Sequence, residues 1–279
     1  MRPLARDAGN GVSPRRRVLA GVLALVVLAA AAVVGVRLMR DAGPLVDPLA
    51  RPDQDRPGPV LLVPGYGGSR GSLLRLAERI EATGRSATVL TLVGDGTGDL
   101  SAQVDVLDEA VDAALADGAP SVDIVGYSAG GVVTGLWIAR DAAAAVKARR
   151  VVTLGAPLAG TSVAGVATVV APDACPPACR QLAPGSAEIE ELARDQVGEA
   201  VPWLSVWTAD DETVTPPATA AQLPGTVQVQ VQQVCPGARV PHGALPTDPA
   251  VTGLVVRALS TAPLDASASG GCAQLRAAS

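Results

Sequence analysis

The sequence is poor in the side chains from which metal, nucleotide and nucleic-acid sites are usually built. It contains no Phe, and aromatic residues make up 2% of 279 positions, too few for platforms that stack unpaired bases. There is one histidine, His242, and four cysteines, which leaves too few ligands for a zinc centre of several His and Cys. The net charge is −5, without the Lys/Arg patch that a nucleic-acid binder carries. The expectation is a protein with no metal, no nucleotide cofactor and no nucleic-acid partner. Charged residues are also sparse at 18%, whereas hydrophobic residues reach 48%. That balance excludes a wholly disordered chain and supplies a core.

What charge there is lies unevenly. Residues 1–40 hold seven Arg against one Asp, a balance of +6, so the remainder carries −11. Arg15, Arg16 and Arg17 precede the nineteen residues from Val18 to Val36, none of them charged or polar. At about 1.5 Å per residue such a run reaches roughly 28 Å, close to the thickness of a bilayer's hydrocarbon. Five Arg before it and two after it place the N-terminus inside and the rest of the chain outside. The expected organisation is a basic cytoplasmic tail over 1–17, a transmembrane signal anchor over 18–36, a Pro/Asp/Arg-rich linker over 37–57, the main folded domain over 58–262 and a tail over 263–279. A single-pass membrane protein with an extracytoplasmic body follows. The alternative is a secreted protein, cut as a signal peptide near Ala29–Ala32. Either way the body is exported, and an even number of cysteines then reads as disulfides. Four cysteines allow three pairings. The expected pairs are Cys175 with Cys179 and Cys235 with Cys272. The second closes a loop whose entropy contributes about 4 kcal/mol.

From Pro59 onward, apolar strands alternate with amphipathic helices. Strands are expected at Pro59–Val63, Ala87–Val93, Val122–Tyr127, Arg150–Leu154, Val201–Thr208 and Thr226–Val234. Helices are expected at Leu73–Ile80, Leu100–Ala116, Ala129–Arg140, Ala187–Arg194 and Asp248–Leu259. This alternation predicts an α/β fold with a mostly parallel sheet covered on both faces.

Gly126-Tyr127-Ser128-Ala129-Gly130 matches G-x-S-x-G. Random order would give about 0.16 such matches, so the motif depends on its context. That context is present, because a strand enters it and a helix leaves it. The sharp turn between them would project Ser128 at the carboxyl edge of the sheet, beside a helix N-terminus that favours negative charge. A serine nucleophile needs a base, and His242 is the one imidazole, in a loop between the last strand and the last helix. An acid must orient that base. Asp210, Asp211 and Glu212 all end the fifth strand, and the order Ser128, Asp211, His242 is the one expected of such a fold.

These residues resemble a family. From Pro59 to about Leu259 the chain is similar to the small bacterial lipases and esterases of the α/β-hydrolase fold, the class 2 triacylglycerol lipases especially. The likeness rests on Val60-Leu-Leu-Val-Pro-Gly-Tyr-Gly-Gly, Gly96-Thr-Gly-Asp-Leu, Gly126-Tyr-Ser-Ala-Gly-Gly, Thr153-Leu-Gly-Ala-Pro-Leu-Ala-Gly-Thr, Pro184-Gly-Ser, Asp211-x-x-Val-x-Pro and His242. It implies Ser128, Asp211 and His242 as catalytic residues, since the acid of similar lipases stands three before the Val. It also implies an oxyanion hole formed by the main-chain N–H groups of Tyr66 and Ala129. Pro64-Gly65 stands where the family has His-Gly, and Pro157-Leu158 where it has Pro-His.

Gly94-x-Gly96-x-Gly98 and Gly65-x-Gly67 do not complete a dinucleotide fingerprint. Residues 158–184 form an insertion that reads equally as a lid over the site or as a passive surface loop. The expected function is hydrolysis of acyl esters, lipids in particular, through an acyl-enzyme. The alternatives are an acyltransferase or thioesterase with the same residues, or a non-catalytic binding protein of the same fold.

Overall fold

The structure is a computed structural model that describes residues 51–141, 143–265 and 271–278. The expected cytoplasmic tail, the anchor segment 18–36 and the linker up to residue 50 lie outside the described residues. Among the described residues, no helix is long and apolar enough to cross a membrane.

In chain order the elements are β1 (Val60–Val63), α1 (Gly71–Glu81), β2 (Ala87–Val89), α2 (Leu100–Ala116), β3 (Val122–Tyr127), α3 (Ala129–Arg140), α4 (Ala144–Lys147), β4 (Ala148–Leu154), α5 (Ser162–Val170), α6 (Pro177–Gln181), α7 (Ala187–Arg194), α8 (Val197–Ala200), β5 (Trp203–Trp207), β6 (Val227–Gln230), α9 (Val231–Val234), α10 (Pro249–Leu259) and α11 (Cys272–Ala277). The six strands form one sheet in the order β2-β1-β3-β4-β5-β6, and every pairing is parallel.

Strand residues point alternately into two cores. Leu61, Val63, Ile124 and Val151 join α2, α3 and the elements around Trp203 on one face. Val60, Leu62, Val125, Val152 and Leu154 join α1 and α10 on the other. Burial on both faces explains why these strands read as continuous apolar runs. Helix α3 is buried at every position from Ala129 to Ile138, so the helix that follows the G-x-S-x-G turn is enclosed by its neighbours on all sides.

Four expected strands are shorter than the sequence pattern, the second and the sixth most of all. The second stops at Val89, and the chain continues irregularly with Leu90 and Leu92 still buried. At the other sheet edge, the alternation Val227, Val229, Val231 reads as one strand, but only Val227–Gln230 pairs with β5. The chain then coils into α9, which sinks Val231 into the core and leads to Cys235. Both expected disulfides, Cys175–Cys179 and Cys235–Cys272, are formed.

The two edges of the sheet carry different chemistry. At the amino edge, Asp123 is completely buried between Arg149 and Arg85, the latter at 2.6 Å. Arg149 also donates to the carbonyls of Leu259 at 2.6 Å and Ser260 at 3.1 Å, and Arg150 to that of Ala258 at 2.7 Å. Three carbonyls at the end of α10 thus gain cationic partners. At the carboxyl edge, β1 sends its connection toward β2 and β3 sends its connection toward β4. The crevice between these two strand ends is where doubly wound sheets bind ligands.

Candidate active site

That crevice holds the motif serine. Ser128 sits at φ 52°, ψ −125°, a conformation that costs about 1–3 kcal/mol for a residue with a Cβ. The flanking glycines make the turn possible. A Cβ on Gly130 would stand 2.2 Å from the carbonyl oxygen of Val63, and one on Gly126 2.6 Å from the Cα of Gly131. Ser128 is the N-cap residue of α3, yet its side chain caps nothing. Its Oγ lies instead 3.0 Å from His242 Nε2. His242 Nδ1 lies 2.8 Å from Asp211 Oδ2. A carboxylate accepts and does not donate, so the imidazole hydrogen sits on Nδ1 and leaves Nε2 free to accept from the serine hydroxyl.

All three side chains are buried. Asp211 Oδ1 accepts the N–H groups of Thr213 at 2.9 Å and Val214 at 2.7 Å, which fixes the carboxylate before it meets the ring. Gly155, with φ +55°, makes room for the pair. A Cβ there would come within 3.1 Å of both Asp211 Oδ2 and His242 Nδ1. The Pro64–Tyr66 loop passes directly beside the serine, since a Cβ on Gly65 would sit 2.9 Å from Ser128 Cβ. Ala129 opens α3, so its N–H has no carbonyl within the helix.

The three expected acids occupy three different places. Asp211 meets the ring. Asp210 Oδ2 accepts the N–H of Val240 at 3.0 Å, a bond that holds its carboxyl below the usual range. Glu212 Oε2 accepts the N–H of His242 at 3.1 Å. A contact not foreseen from the sequence is Tyr127, the variable residue of the motif. Its ring lies 5.2 Å from that of His242, and its hydroxyl donates to the His242 carbonyl at 3.3 Å. Burial, with the charges of Asp211 and Glu212, pushes the phenol up to about 12, so it remains a donor at any working pH. Among the described residues no group of three or more His, Cys, Asp or Glu is placed to hold a metal ion.

No protein-family model and no curated protein sequence matches the chain. Solved structures do. Lipase B of Aspergillus fumigatus superposes with a TM-score of 0.62 at 18% identity, over 81% of this chain and 61% of that one. The lipase BlEst2 of Bacillus licheniformis in its mature form gives 0.52 at 19% identity, over 66% and 86%. The lin2722 product of Listeria innocua gives 0.56 at 14%, over 75% and 96%. The fold is that of the α/β-hydrolases. The chain spans about three fifths of the length of the fungal lipase, so the likeness covers the α/β-hydrolase body and not that whole protein. The strand order and the position of Ser128 at the end of β3 put the candidate site at the carboxyl edge of this fold.

Proposed function

We propose that the protein is a serine ester hydrolase acting on acyl esters, lipids in particular, with Ser128 as nucleophile, His242 as base and Asp211 as the acid that orients it. The observation that carries this reading is the unbroken chain from Ser128 Oγ through both ring nitrogens of His242 to Asp211, mounted on a strained turn at the sheet's crevice. In the reaction, Ser128 Oγ attacks the ester carbonyl while His242 Nε2 takes its proton. Asp211 stabilises the resulting imidazolium. The N–H groups of Tyr66 and Ala129 hold the oxyanion. His242 then protonates the departing alcohol, and a water activated by the same nitrogen releases the acid and restores the enzyme.

The lipid part of the proposal rests on α5. This helix follows β4, and its start is tied to the loop that carries Asp211, with Ser162 N–H bonded to the Thr215 carbonyl at 2.7 Å and Thr161 Oγ1 to that of Thr213 at 3.1 Å. It exposes Val163 (51%), Val166 (60%), Val169 (81%) and Val170 (76%). An apolar stripe of this kind, on a helix whose start is bonded to the Asp211 loop, fits an acyl or lipid surface better than water. Two of the superposed structures are lipases. The location proposed is the cell membrane, held by residues 18–36 with the body outside. The two disulfides favour an oxidising compartment.

A panel of p-nitrophenyl esters of rising chain length, with labelling by a fluorophosphonate probe, tests the chemistry. An unlabelled, folded protein would rule out the hydrolase reading. Fractionation with protease added from outside tests the location. A soluble mature protein starting near residue 33 would replace the anchor with a cleaved signal peptide.

A further inference from the structure

From the geometry around His242 we infer that Asp210 and Glu212, the acids on either side of Asp211, are positioning residues for the base, each holding one main-chain N–H of the segment that carries it. The inference rests on the proposed roles of Ser128, His242 and Asp211. The segment is Val240-Pro241-His242. Proline has no N–H, so this stretch offers two main-chain donors, and each is taken by a different carboxylate. Asp210 Oδ2 accepts from Val240 at 3.0 Å and Glu212 Oε2 from His242 at 3.1 Å, while Asp211 Oδ2 takes the ring at 2.8 Å. Three consecutive acids therefore contact three successive groups of one short loop.

The acceptor side of the loop is held as well. Thr208 Oγ1 donates to the Val240 carbonyl at 2.8 Å, and Tyr127 Oη to that of His242 at 3.3 Å. Asp210 is itself steadied by Gln232 Nε2 at 3.1 Å and Arg239 at 3.3 Å. Hydrogen bonds to ionised acceptors are shorter and roughly twice as strong as neutral ones. The loop contains no strand and only the short turn His242–Ala244, so these side chains, and not regular structure, set where the ring stands. A base displaced by about 1 Å can lose about a hundredfold in rate, and each acid restrains a different end of the segment.

The test is steady-state kinetics on p-nitrophenyl butyrate together with the rate of fluorophosphonate labelling. Asp210→Ala and Glu212→Ala are each expected to lower kcat and the labelling rate roughly tenfold, with KM within about twofold. Asp210→Asn and Glu212→Gln keep an acceptor oxygen and are expected to recover most of the rate. Glu212→Asp keeps the charge but falls one methylene short of His242 N–H. It is expected to behave like Glu212→Ala, and because Glu212 is exposed this variant folds even if Asp210→Ala does not. Wild-type kcat in Glu212→Ala and Glu212→Asp, a loss confined to KM, or amide variants as slow as the alanines would overturn the inference. Ser128→Ala and His242→Ala run alongside. If His242→Ala remains active, the catalytic assignment fails and takes the inference with it. If both are inert while the flanking acids prove indifferent, the inference alone falls.

Discussion

The two edges of the sheet each bury a carboxylate, and they do so differently. Asp123 at the amino edge sits between two guanidinium groups, both of which also serve the end of α10. A guanidinium donates hydrogen bonds and accepts none, so this cluster ties strand to helix end and holds no group beside the carboxylate that could serve as a base. Asp211 at the carboxyl edge faces an imidazole instead, a group that exchanges protons near neutral pH. Beyond the imidazole stands the Ser128 hydroxyl, 3.0 Å from Nε2. The contrast teaches that burial of an acid marks importance of some kind, and that the partner decides whether the role is structural or chemical.

Breaking the carboxyl edge should cost rate and little stability. Ser128→Ala is expected to abolish ester hydrolysis and probe labelling, by roughly 10⁴-fold or more, while its melting curve stays near wild type. Activity near wild type in the purified variant would remove Ser128 from the mechanism. Asp211→Asn comes next, with a loss of about 10⁴-fold in turnover, because an amide can present a donor to Nδ1 and favour the wrong tautomer. Asp210→Asn should lose far less. The reverse ranking in a side-by-side assay would move the acid to position 210.

Breaking the amino edge should do the opposite. Asp123→Ala leaves Arg149 fully buried without its counter-charge, and removing one partner of a buried pair costs about 3–5 kcal/mol. A lowered urea midpoint with unchanged turnover per folded molecule is the expected result. A lost rate with retained stability would erase the distinction between the edges.

The smallest effect is spectroscopic. The chain has two tyrosines, so a Tyr66→Phe background leaves Tyr127 as the one phenol to titrate. Absorbance near 295 nm should show it ionising near 12, with burial first and the charges of Asp211 and Glu212 next as causes. Asp211→Asn should bring the midpoint down. The folded state keeps this proton where the unfolded chain, at its ordinary value of 10.0, has lost it. Stability should therefore fall as pH rises from about 10 to about 12.

Much of this was legible in the sequence. Alternating strands and helices gave the α/β class, because a parallel sheet buried on both faces needs continuous apolar strands. The glycines around Ser128 announced a tight strand-to-helix turn, and a single histidine left one candidate for the base. Other features depended on distance in space. The sequence ranks Asp210, Asp211 and Glu212 equally by position, and only the packing of the fifth-strand loop against Val240–His242 gives each acid its own partner. Tyr127 filled a variable motif position, and its hold on His242 spans 115 residues of chain. The buried Arg149–Asp123 pair has no mark of its own in the sequence, since a strand's hydropathy does not reveal which of its ends receives a helix terminus. Local sequence determined the elements and the turn, because these follow from backbone sterics and apolar periodicity. The tertiary structure alone decided the partners of each charge, because such pairs join segments whose spacing along the chain carries no information about their approach in space.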